Sequence, residues 1–227
     1  MNKQLWTDVD QYTTDLLIPP DPVLDAVLKA SDEAKLPSIS VSPSQGKLLM
    51  LLAKLAGATR ILEIGTLGGY SSIWLARALP PGGRLITLEA NPKHAEVAGN
   101  NITRAGFGDS VEVRLGDARA GIQQLAGEKA APFDLIFIDA DKQSIPHYLE
   151  WSLKMSHRGT LIIIDNVVRD GALIDGTSQD ANVQGARRMH EMLASEPRIS
   201  ATTIQTVGSK GYDGFTLALV TMDHLGG

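Results

Sequence analysis

The chain has 227 residues, 43% hydrophobic and 21% charged, which is enough apolar material for one globular domain of ordinary size. A formal net charge of −5 argues against a broad basic surface for duplex nucleic acid. There is no cysteine, which excludes a disulfide framework, a thiolate metal site and a thiol nucleophile, and fits the cytoplasm. The first twenty residues carry Asp8, Asp10 and Asp15 and lack an apolar run, so no signal peptide is expected. No window approaches the ~18 apolar residues of a membrane span.

Residues 1–57 read as a helical cap. Leu5, Trp6, Leu16, Leu17 and Ile18 are more apolar than a free tail needs, so this segment is expected to cover a ligand site or meet a second subunit. Pro22–Lys35 reads as an amphipathic helix with Val23, Leu24, Val27 and Leu28 on one face. Ser42-Pro43-Ser44 starts another helix, which Leu48–Leu55 continues.

From residue 58 to 227 the pattern is an α/β core. Strands are expected at Arg60–Ile64, Arg84–Leu88, Val111–Leu115, Phe133–Ile138, Thr160–Ile164, Ala201–Val207 and Phe215–Val220. Helices are expected at Ser71–Ala78, Lys93–Ala105, Arg119–Leu125, Pro146–Met155 and Val183–Ala194. Such alternation implies right-handed crossovers and a parallel sheet. Gly208–Gly214 is too short for a crossover helix, so the last two strands should form a hairpin and one of them should run antiparallel. The reading is a single Rossmann-like domain with a mostly parallel seven-stranded sheet.

In such sheets chemistry gathers beyond the carboxyl ends of the strands. The first strand is followed by Gly65-Thr66-Leu67-Gly68-Gly69 and a helix start at Tyr70-Ser71-Ser72. Glu89 ends the second strand, 24 residues beyond Gly65 and near the ~20 expected of a ribose-binding carboxylate. Gly116-Asp117-Ala118 follows the third and could flank an adenine ring. An ordinary strand-to-helix turn would also use such glycines. The second glycine comes one residue late for a dinucleotide fingerprint, and Glu63 would repel a pyrophosphate. S-Adenosylmethionine has a ribose, an ammonium and no phosphate, and it suits these residues.

Asp139-Ala140-Asp141-Lys142 and Asp165-Asn166 follow the fourth and fifth strands. They bring three hard oxygen ligands and one amine to the same edge. That set suits a divalent cation and a general base, although Asp139 and Asp165 could instead cap the helices that follow.

These strings, with Leu62-Glu63-Ile64-Gly65-Thr66, Gly69-Tyr70-Ser71-Ser72 and Asp213-Gly214-Phe215-Thr216, resemble the cation-dependent class I O-methyltransferases. That family includes catechol and caffeoyl-coenzyme A O-methyltransferases. The resemblance runs from about Ser40 to Val220. It implies a sheet whose last strand is antiparallel, and a homodimer. It assigns Asp139, Asp165 and Asn166 to the metal and Lys142 to the base. Val41, Glu63, Gly65, Thr66, Ser71, Glu89, Ala118, Asp139 and Asp141 are implied at the cofactor. The chain departs from the family pattern on the acceptor side. Ile145 replaces a common aromatic, and Arg169 and Asp170 replace a common tryptophan and histidine.

The chemistry explains the set. A phenol ionises near ~10, so little oxyanion exists at neutral pH. A divalent cation on two adjacent hydroxyls stabilises the oxyanion and fixes its orientation. Oxygen-only ligands favour Mg²⁺, with Mn²⁺ or Ca²⁺ as alternatives, over zinc. The expected activity is methyl transfer to a small catechol-like diol.

Other readings keep part of this. A tRNA hydroxyuridine acceptor would need a local basic patch from Arg169, Arg187, Arg188 and Lys210. A nicotinamide-dependent oxidoreductase uses the same fold, and a non-catalytic protein could keep the cofactor site. Among remaining residues, His147 is expected on an exposed helix face, His157 in a loop, and His94, His190 and His224 at the surface. Tyr148 and Trp151 share a helix face and read as packing. Tyr70 is expected to pack at its helix start, although it could touch the cofactor. Tyr212 and Asp213 could reach the acceptor.

Overall fold

The computed structural model describes residues 2–128, 130 and 132–223. His224 lies outside them. Three helices precede the sheet: α1 (Lys3–Leu17), α2 (Pro22–Glu33) and α3 (Pro43–Leu55). The starts of α2 and α3 follow from cap chemistry. Asp21 accepts the backbone N–H of Val23 and Leu24, Ser42 accepts that of Gln45, and a proline follows each cap. Asn91-Pro92 opens α5 (Pro92–Arg104) in the same way. Leu24 and Val27 bury the inner face of α2, while Leu28 stays exposed.

The strands are β1 (Arg60–Ile64), β2 (Arg84–Glu89), β3 (Val111–Leu115), β4 (Phe133–Ile138), β5 (Ser156–Ile164), β6 (Ile199–Gly208) and β7 (Gly211–Val220). They form one sheet in the order β3-β2-β1-β4-β5-β7-β6. All pairings from β3 to β5 are parallel, and β7 is antiparallel to both of its neighbours. This is the expected mostly parallel sheet with an antiparallel last strand. The crossover helices are α4 (Tyr70–Ala76), α5, α6 (Ala118–Gly127), α7 (Ile145–Lys154) and α8 (Ala181–Ser195).

Period-two alternation along β1 and β4 sends side chains to two cores. Leu62, Ile64, Ile136 and Ile138 meet α6, α7 and α8 through Ile122, Leu149 and Met189. Ile61, Leu135 and Phe137 meet α2 to α5 through Leu24, Leu49, Ile73 and Ile102. With both faces covered, the central strands read as continuous apolar runs.

Two regions differ most from expectation. The β6–β7 ladder runs from Ile199 opposite Val220 to Gly208 opposite Gly211, so the turn is only Ser209-Lys210. The glycines that suggested a longer loop lie inside the pairing. Gly214 has no room for a side chain, because a Cβ there would lie 2.4 Å from the Ile204 carbonyl oxygen. β5 starts at Ser156, which puts His157 in the strand rather than in a loop. There His157 Nε2 meets Asp134 Oδ1 at 2.9 Å. The register shifts beside it, between Phe133 and Leu135.

Candidate active site

Chain order reverses across the sheet between β1 and β4, and beyond their carboxyl ends lies a cavity of about 590 Å³. The parallel ladders continue one residue past the strands. Asp139 N–H donates to the Ile64 carbonyl, Asp165 N–H to Ile138, and Gly65 N–H to Leu88. Neighbouring strand ends are thereby held level. Gly65 is required here. Its φ is +101°, and a Cβ would lie 2.2 Å from the Asp139 carbonyl oxygen.

Val41, Gly65, Thr66, Ser71, Glu89, Ala118, Asp139, Asp141, Lys142 and Asn166 line this cavity. Val41 comes from the segment ahead of α3, so the helical cap closes one side. Glu89 Oε2 accepts the backbone N–H of Thr66 (3.2 Å) and Leu67 (2.8 Å), and so shapes the glycine loop. His94, expected at the surface, joins the wall, with Nδ1 3.6 Å from Glu89 Oε1.

Glu63 lies behind the wall rather than in it. It is fully buried and accepts hydrogen bonds from the hydroxyls of Ser71 (2.6 Å) and Ser72. Burial pushes its carboxyl up to about 7, against the pull of those hydroxyls. It holds the start of α4 to β1.

Asp139 and Asp165 follow paired positions, Ile138 and Ile164, on adjacent strands. The Lys142 amine donates to Asp139 Oδ1 at 2.7 Å and is largely buried. Asp165 lines a second cavity of about 330 Å³, and Asn166 lines both. Burial, reinforced by the Asp139 charge, pushes Asp165 up to about 7. A divalent cation between the two carboxylates would relieve that repulsion, and the donors are all oxygen. Among the described residues no three His, Asp or Glu gather at ligand spacing, so a third oxygen would have to come from a neutral group such as the Asn166 amide. The set fits a hard cation that keeps further positions open.

Three contacts were not legible from spacing. Gln45 Nε2 donates to Asp165 Oδ2 at 2.6 Å across 120 residues, and nothing local signals it. The Tyr148 hydroxyl donates to Asp141 Oδ1 at 2.6 Å, so Tyr148 does more than pack. Burial and Asp141 push its phenol well up. Asp213 Oδ1 accepts the backbone N–H of Val168 (2.9 Å), Arg169 (3.0 Å) and Gly214 (2.9 Å), which pins the loop after β5. His147 is partly covered, its ring against Tyr148 and Trp151. His190 bonds to Thr203 Oγ1 at 2.8 Å rather than standing free.

An O-methyltransferase family profile matches residues 18–220. A catechol O-methyltransferase of Niastella koreensis is 53% identical over 220 residues, covering 97% of this chain and 100% of that protein. An O-methyltransferase from Bacillus cereus, solved in complex with SAH, superposes with a TM-score of 0.95. It is 60% identical, covering 96% of this chain and 99% of that one. The O-methyltransferase TomG from Streptomyces achromogenes, solved with SAM, gives 0.94 at 52% identity, covering 97% and 99%. This chain belongs to the O-methyltransferase family.

Proposed function

We propose that this enzyme transfers a methyl group from S-adenosylmethionine to a hydroxyl of a small vicinal aromatic diol, with Lys142 as general base and a divalent cation, Mg²⁺ by preference. The observation that carries the reading is the gathering of Asp139, Lys142, Asp165 and Asn166 at adjacent strand ends, with Asn166 lining both cavities. Relatives solved with SAM or SAH, and one named for catechol, support the cofactor and the acceptor class.

Asp139, Asp165 and Asn166 would hold the cation. When bound, the cofactor supplies a methyl on a sulfonium, and the cation favours the ionised diol. The remaining steps belong to the chain. The Glu89 carboxylate fixes the Thr66–Leu67 backbone, which would form part of the cofactor's wall. Asp139 orients the Lys142 amine, whose Nζ takes the proton from the reacting hydroxyl. Holding donor and acceptor in line supplies much of the rate, since effective molarities reach ~10⁵ M or more. A homodimer belongs to the same reading. Leu5, Val9, Tyr12 and Leu16 form an outward stripe on α1, each more than half exposed.

The test is SAH formation from a catechol with Mg²⁺, repeated with excess EDTA. Turnover should vanish with EDTA and return with added Mg²⁺. Lys142→Ala should lower kcat by roughly 10²- to 10⁴-fold at neutral pH. Turnover that ignores EDTA would exclude the cation, and near-normal turnover by the alanine variant would exclude Lys142 as the base.

A further inference from the structure

Arg169 narrows the acceptor chemistry, granted the transferase reading. It follows Asn166 by three residues and enters the larger cavity from the β5 side, whereas Glu89 enters from the end of β2, three strands away. Arg169, Asp170 and Gly171 all have left-handed backbones, with φ of 56°, 54° and 87°. Side-chain-bearing residues rarely adopt this conformation, and Asp213 holds it in place. The run separates two charges: Arg169 lines the larger cavity and Asp170 the smaller.

The Arg169 Nε is enclosed and has no hydrogen-bond partner. One terminal nitrogen is 3.9 Å from Asp213 Oδ2, too far for a hydrogen bond. Asp139 is engaged by Lys142, Asp165 by Gln45, and Asp213 Oδ1 by three backbone amides, which leaves Arg169 only a long ion pair with Asp213 Oδ2. A buried donor without a partner is costly, and a guanidinium is a flat two-pronged donor matched to a carboxylate. We propose that Arg169 recognises a carboxylate on the acceptor, so that the preferred substrate is an aromatic vicinal diol carrying an acid group.

The cofactor's own carboxylate is the other source of this chemistry, so the experiment separates the two. SAH formation is measured with Mg²⁺ for the wild type and Arg169→Gln, on 3,4-dihydroxybenzoate and on its neutral amide. SAH affinity is measured by calorimetry for both proteins. The wild type should prefer the acid in kcat/KM. The substitution should lower that preference roughly 10- to 100-fold, chiefly through KM, as expected of a hydrogen bond to a charged group. Arg169→Lys, which keeps the charge, serves if the glutamine variant folds poorly, and it should lose less of the preference. Turnover by the wild type without preference for the acid, or an equal loss on both acceptors, overturns the inference and leaves the transferase reading standing. A loss that follows SAH affinity assigns Arg169 to the cofactor instead. No turnover of either acceptor overturns both.

Discussion

Glu63 is a carboxylate placed where only its neutral form is comfortable. Buried under the glycine loop, it is pushed up to about 7 from an ordinary 4.5. Below pH 4.5 it is protonated whether the chain is folded or not, and it makes no difference. Between 4.5 and about 7 the unfolded chain ionises first, so the native state binds more protons and stability falls as pH rises. Above 7 the penalty is complete, at roughly 3 kcal/mol. Glu63→Gln should therefore lose less stability than the wild type between pH 5 and pH 8, as read from urea unfolding at each pH. An equal loss in both proteins would mean that Glu63 ionises normally in the folded state. The residue was legible as an acid beside the glycine loop. Its role behind the wall was not, because Ser71 and Ser72 meet it only once α4 has docked on β1.

At the scale of elements, one carboxylate on β7 organises the loop after β5. Asp213 Oδ1 satisfies three backbone N–H groups, one just before the left-handed run and one on its first residue. Asp213→Ala would orphan those donors. It should destabilise the fold by about 1–3 kcal/mol and raise KM for the diol more than for the cofactor. Chemical unfolding and steady-state kinetics check this, and an unchanged acceptor KM would show that the loop needs no such pin. The hairpin that carries Asp213 was foreseen from the short connection. Its two-residue turn was not, because a glycine placed for close approach looks in sequence like one placed for turning. Gly214 is the former, pressed against Ile204 and Val168.

At the scale of the whole molecule, α1 is the least secured piece. It buries no residue completely, and a 15-residue helix is marginal in water without packing. Its inner side reaches the hairpin, where Asp10 Oδ2 accepts the Ser209 N–H at 2.8 Å, and Asp10 lines the smaller cavity. Its outer side carries the exposed stripe of Leu5, Val9, Tyr12 and Leu16. Removing the residues before Pro20 should raise the acceptor KM several-fold and convert a dimer to monomers in light scattering. A truncated chain that keeps its mass class and acceptor affinity would leave α1 without either role. No helix among the described residues is long and apolar enough to cross a membrane.

What the sequence determined by itself was whatever depends on local order. Strand–helix alternation dictated the sheet and its strand directions, since crossovers have one hand. Residues directly after buried strands had to emerge at one edge, which made Asp139, Lys142, Asp165 and Asn166 recognisable together. Only the tertiary structure decided the contacts between distant elements. Gln45 reaches Asp165, Tyr148 holds Asp141, Glu63 withdraws behind the wall, and Arg169 is left with an enclosed, unpaired nitrogen. None of these follows from periodicity or spacing. Each depends on how helices and loops pack over a strand edge, where burial, rather than residue type, sets which polar groups find partners.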